Sequence, residues 1–207
     1  MATIAVISGV FAGPSRLEEA EAEADAMEAT FEADRIQAVD QAVLESLTHA
    51  PPYDVIHFAV HGTYTKPGND GSTGAVQPRI LLADGTFIDE NTVMGLEPLP
   101  GTPLVFLNAC QVGSGHQVLG DYAGMAAAFL YAGAAAVIAP LWSIDDAVAR
   151  DIGLRFYERV FAGASPAEAL RLERASFMTS PETASSTFLA YQYYGHPSLK
   201  VERDRHD

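Results

Sequence analysis

Two side chains in this sequence have the types and the placing to do covalent chemistry together. His61 follows the run Val55-Ile-His-Phe-Ala-Val60 and is followed by Gly62; Cys110 follows Leu104-Val-Phe-Leu-Asn-Ala109 and precedes a glycine-bearing loop, Gly113-Ser-Gly115. A thiolate is a far better nucleophile than a thiol, and an imidazole that holds or takes the thiol proton generates it. Gly62 has no side chain to keep a substrate carbonyl away from the backbone. Its N–H and that of Cys110 are candidates for holding an oxyanion. Cys110 is the only cysteine among 207 residues, so no disulfide forms within the chain. The competing reading of Cys110 is a buried structural thiol, against which stands its position at a strand end before a glycine loop.

Residues that act together need elements that bring them together. Both apolar runs read as strands buried on both faces of a parallel sheet, as does Ala135 to Pro140. In open α/β sheets ligands bind outside the carboxyl ends of the strands, so parallel neighbours would deliver His61 and Cys110 to one rim. Thr3 to Ser8 predicts a further strand. Leu17, Ala20, Ala24, Met27 and Phe31 recur at helical spacing, with Glu18, Glu19, Glu21, Glu23, Asp25 and Glu28 between them. That pattern predicts an amphipathic helix whose acidic face is in water. Further helices are expected from Asp40 to before Pro51, from Tyr122 to Tyr131 with Asp121 as its cap, from Asp145 to Phe161, and from Ser165-Pro166 onward. Arg79 to Leu82 and Thr86 to Ile88 flank an Asp84-Gly85 turn and predict a hairpin. Thr63 to Pro78 carries loop residues throughout. The alternation of strands and helices predicts one α/β domain over residues 1–207 with a largely parallel sheet.

The formal net charge of -15 repels phosphate backbones and anionic lipid, which argues against nucleic-acid and membrane-surface partners. The most apolar stretch, Met125 to Trp142, is broken by Gly133 and Pro140 and does not read as a membrane span. With one cysteine and no basic residue ahead of the first short apolar run, a cytoplasmic setting is expected. Gly9 and Gly13 lack the spacing of a nucleotide-binding loop. His57 lies four strand residues before His61, roughly 13 Å away, so one thiol cannot touch both; His57 is expected to be structural or to support the site from behind the reacting pair. His116 lies six residues after Cys110, without the short-range Cys/His pairs of a zinc site. No metal is expected, and His49, His196 and His206 read as surface or chain-end residues.

The histidine precedes the cysteine by 49 residues, close to the roughly 50 that separate the pair in caspases, and Asn108-Ala-Cys-Gln111 echoes the caspase Gln-Ala-Cys signature. More specifically, the sequence resembles the CHAT domain, a caspase-like peptidase family usually found after helical repeats and related to separase. The resemblance rests on Asp54-Val-Ile-His-Phe-Ala-Val-His-Gly62, Leu81-Leu-Ala-Asp-Gly85, Leu104-Val-Phe-Leu-Asn-Ala-Cys110 and Phe129-Leu-Tyr-Ala-Gly-Ala134. It continues through Leu141-Trp-Ser-Ile-Asp-Asp146, Phe156-Tyr157 and Tyr194-Gly-His-Pro-Ser-Leu199. It implies a three-layer α/β/α sandwich and a His61–Cys110 dyad that cleaves a protein or peptide substrate without a cofactor. It also implies a regulatory or helical-repeat protein partner. In separase-like relatives an acid after the Leu-Trp element lines a pocket for a basic residue. Asp146 matches that place, with Asp145 and Trp142 bordering it. Ser143-Ile-Asp-Asp146 also reads as a capping box with Ser143 at the N-cap, and that reading is preferred. Two alternatives stay open: a catalytically silent scaffold that binds a partner through the same groove, and a metal-binding protein. A scaffold would need neither His61 nor Cys110.

Overall fold

The computed structural model describes residues 2–11, 18–48, 51–64, 78–96, 98–111, 121–142, 144–178 and 186–201, with the backbone alone at 64, 78, 110, 111 and 121–123. Among them the strands are β1 (Ile4–Ser8), β2 (Asp34–Gln37), β3 (Val55–Tyr64), β4 (Pro78–Leu81), β5 (Phe87–Asp89), β6 (Leu104–Gln111), β7 (Ala136–Pro140) and β8 (Tyr191–Gly195). The helices are α1 (Glu18–Phe31), α2 (Asp40–Thr48), α3 (Glu90–Met94), α4 (Asp121–Tyr131), α5 (Asp146–Phe161), α6 (Pro166–Met178) and α7 (Thr187–Ala190). Thr63 and Tyr64 belong to β3 and Pro78 to β4, so the expected loop is at most residues 65–77; that stretch, the Gly113–Gly115 loop, Ser143, His49, His116 and His206 lie outside the described residues, as does the Asp121 side chain.

The strand order is β2-β1-β3-β6-β7-β8. The first five strands pair in parallel and β8 closes the β7 edge antiparallel. Every residue of β1 and of β7 is buried, because helices cover both faces. Alternation along β3 divides its side chains between two cores. Ile56, Phe58 and Val60 join Phe129, Leu107 and Val137 beneath α2, α3 and α4; Val55 and Ala59 join Met27, Phe106, Ile152 and Tyr157 beneath α1, α5 and α6. The result is the expected α/β/α sandwich around a mostly parallel sheet.

Strand β3 changes partner along one edge. Ile4 to Ser8 of β1 accompany Val55 to Ala59; beyond that, β4 runs antiparallel to it, with Leu81 opposite His61 and Ile80 opposite Gly62. The β4–β5 hairpin turns at Gly85, whose φ of 84° suits a residue without Cβ. Asp84 fixes the turn by accepting from Thr86 N (3.0 Å), and ties it to α2 by accepting from Asp40 N (2.9 Å).

Helix α6 begins at Pro166 with Ser165 Oγ accepting from Glu168 N at 3.2 Å. Helix α5 begins otherwise than the capping-box reading has it. Asp145 is the N-cap, accepting from Val148 N at 3.1 Å, and Asp146 is the first helical residue. Asp145 has the extended backbone and short carboxylate of a good cap, so the helix starts two residues later than Ser143 would place it. A second correction concerns α1. Glu23 does not stand in water with its neighbouring acids; it is 2% exposed and packed inward beside Ala24 and Met27.

Candidate active site

Strands β3 and β6 are parallel neighbours in register from Val55↔Leu104 to Gly62↔Gln111, and His61 is the register partner of Cys110. Neighbouring strands lie about 4.8 Å apart, so the two backbones meet at the carboxyl-end rim. The apolar runs produce this directly: each buries about six residues between the helical layers before His61 or Cys110 is reached. His61 is 2% exposed, and the Phe11 ring meets its imidazole edge-on with centroids 4.5 Å apart. Gly62 is buried within the ladder, opposite Ile80 on one side and Gln111 on the other.

Trp142 is half-buried against the core under α5, and Asp145 is exposed at the start of that helix. Their segment follows β7, one strand beyond β6. It is pinned to α7 by Leu141 N donating to Ala190 O (2.9 Å) and by Asp145 N donating to Thr187 Oγ1 (2.8 Å). Asp146 is partly exposed in the first turn of α5. These residues share the carboxyl-end rim with His61 and Cys110.

Beneath the His61–Cys110 rung lies a buried polar cluster that the sequence reading did not assemble. Asn108, two residues before Cys110, donates through Nδ2 to both Glu23 carboxylate oxygens at 2.8 Å. Tyr191 Oη donates to Asn108 Oδ1. His57 Nε2 lies 3.2 Å from Glu23 Oε1, out of line for a hydrogen bond, and His57 Nδ1 is 3.0 Å from Tyr157 Oη. His57 is fully buried, with Tyr157 on its Nδ1 side and Glu23 on its Nε2 side. Burial first, and the Glu23 charge second, push the Tyr157 phenol well above its ordinary range. Gly153 of α5 leaves room for the carboxylate, since a Cβ there would stand 2.5 Å from Glu23 Oε1. Helical spacing carried a signal for Glu23: three residues after Ala20 and four before Met27, it belongs to the apolar stripe.

His196 is exposed, in keeping with its surface reading. Among the described residues no three His, Cys, Asp or Glu side chains are grouped to hold a metal ion, and no helix is long and apolar enough to cross a membrane.

The profile of the CHAT domain matches residues 7–199. This chain belongs to the CHAT-domain family. Crystal structures of the Saccharomyces cerevisiae separase–securin complex, at 3.0 Å and 2.6 Å resolution, share the fold of this CHAT domain. They superpose with TM-scores of 0.58 and 0.54 at 14% and 11% identity. Each match covers 94% of this CHAT domain and 12% of the other chain. No curated protein matches it.

Proposed function

We propose that this CHAT domain is a cysteine endopeptidase in which His61 and Cys110 are the catalytic dyad. The observation that carries the reading is their register pairing at the carboxyl ends of two adjacent parallel strands. In the reaction, the Cys110 thiolate attacks the peptide carbonyl carbon, and the N–H groups of Gly62 and Cys110 hold the resulting oxyanion. The imidazolium of His61 gives its proton to the departing amine, leaving a thioester. A water, deprotonated by His61, then releases the acid and restores the thiol. No cofactor enters any step.

A second reading has support of its own. His61 is 2% exposed, and Gly62 is buried within a ladder flanked on both sides. Both features suit an enzyme held latent until a partner or effector opens the rim, or a scaffold that binds a protein without cleaving it. The separase structures, determined as complexes with securin, are in keeping with a protein partner. For Asp146, the first-turn position in α5 leaves a role in a pocket for a basic residue as the finer proposal, bordered by Asp145 and Trp142. A cytoplasmic setting fits a single thiol that must stay reduced.

Alkylation by iodoacetamide and by a peptidyl chloromethyl ketone separates the readings, since only one thiol is present. The dyad predicts neutral-pH labelling at least 10-fold faster than a free thiol, lost in His61→Ala. It also predicts cleavage of a peptide library that falls by about 100-fold or more in His61→Ala and vanishes in Cys110→Ala. Labelling at an ordinary thiol rate, indifferent to His61, would leave the scaffold.

A further inference from the structure

Resting on the dyad reading, we propose that Asn108 is a positioning residue for Cys110, locked by the buried carboxylate of Glu23 and the phenol of Tyr191. The cluster is drawn from five elements: Glu23 from α1, His57 from β3, Asn108 from β6, Gly153 and Tyr157 from α5, and Tyr191 from β8. All the side chains with polar groups are at least nine-tenths buried: Glu23 2%, His57 0%, Asn108 6%, Tyr157 0% and Tyr191 0% exposed. A buried ionisable carboxylate is costly unless its oxygens are bonded, and an apolar residue would fill the same space without that cost. Here both oxygens are spent on one amide, and the opposite end of that amide is held by a hydroxyl reaching from an edge strand across β7.

The position of this amide is what ties it to chemistry. Asn108 is the register partner of Ala59 in the same ladder where Cys110 partners His61. Two residues of strand separate each pair, roughly 6.6 Å of rise, with no helix or turn between. Immobilising the Asn108 amide against α1 and β8 fixes the height and tilt of the last residues of β6 relative to β3. A positioning shell of this kind acts through geometry: a displacement of about 1 Å at the reacting pair can cost about 100-fold in rate. The glycine at 153 belongs to the same device. Inside a helix glycine is normally a liability, yet here any Cβ would press on the carboxylate that grips Asn108.

The test compares the intact chain with Glu23→Gln, Tyr191→Phe, the double variant, and Gly153→Ala. Each is checked for folding by circular dichroism and thermal melting. Iodoacetamide rates at Cys110 are measured from neutral to alkaline pH. The alkaline plateau reports access to the thiolate, and the excess rate at neutral pH over a free thiol reports the imidazole beside it. Positioning predicts that each folded variant keeps the plateau and loses the neutral-pH excess by about 10-fold or more. It further predicts that the double variant loses little beyond the worse single, because both act through one amide. Folded variants with lowered melting temperature and an unchanged rate profile would reduce the cluster to a structural one and overturn the inference alone. A wild-type Cys110 with no excess rate overturns the inference together with the dyad on which it rests. Should Glu23→Gln fail to fold, Gly153→Ala and Tyr191→Phe decide by the same two readings.

Discussion

Glu23 stands in a helix rich in acids, yet it alone among them is buried, while Glu18, Asp25 and Glu28 are exposed. The difference is chemical company: its carboxylate has an amide, a histidine and a glycine-made recess. Removing one member of such a cluster leaves the others desolvated and unpaired, so Glu23→Ala is expected to cost about 1–3 kcal/mol in urea unfolding. The milder Glu23→Gln is expected to cost about 1–2 kcal/mol. Tyr157 adds a pH dependence whose sign follows from its raised ionisation. The folded phenol holds its proton to higher pH than the unfolded one. Its contribution is complete below about pH 10 and is lost as pH rises from there toward the folded value. Tyr157→Phe is expected to flatten that alkaline decline, read as the urea midpoint against pH. The meeting of His61 and Cys110 at the ends of neighbouring parallel strands was legible from the apolar runs that precede them. Glu23 was not, because counting acids along a helix outweighed its spacing to Ala20 and Met27.

Elements explain two further expectations. Ala is normally the better helix former by about 1 kcal/mol, so Gly153→Ala would stabilise α5 if helix propensity decided. The approach of Glu23 reverses the sign, and a lowered melting temperature is expected. At the start of the same helix, Asp145→Ala is expected to cost about 1 kcal/mol through the lost cap. Asp146→Ala would cost less and would change cleavage preference only if Asp146 lines the pocket; a peptide-library digest separates the two. The turn acid Asp84 is held below the usual carboxylate range, chiefly by the Thr86 hydroxyl and then by the N–H groups of Asp40 and Thr86. Its support of the turn is therefore present above about pH 4 and fades as pH falls through the folded value. The Thr86 amide resonance should report that titration, with its midpoint below the ordinary one. Strands β1, β3, β6 and β7 could be read because burial on both faces makes their sequences almost wholly apolar. Strands β2 (Asp-Arg-Ile-Gln) and β8 (Tyr-Gln-Tyr-Tyr-Gly) are edges with mixed exposure, and neither an apolar run nor a clean alternation marks them. Helices α3 and α7, at five and four residues, are too short to show a period.

At the scale of the molecule, one sheet separates two cores, and the layer order was legible from the alternation of strands and helices. What the alternation could not give is the change of neighbour along β3, which depends on where the hairpin folds back. That change makes the two sides of the His61–Cys110 rung unlike. On the histidine side β4 already occupies the ladder, so an incoming extended polypeptide finds no backbone groups to pair with there. On the cysteine side the pairing of β6 with β7 runs only from Leu104 to Phe106. Among the described residues the register pairing of β6 with β7 ends at Phe106↔Ile138, and β7 itself ends at Pro140. Were a guest chain to zipper onto this sheet near the rung, β4 would bar it from the histidine's flank, and on the cysteine's flank the direction of β6 would dictate the polarity in which its side chains are presented.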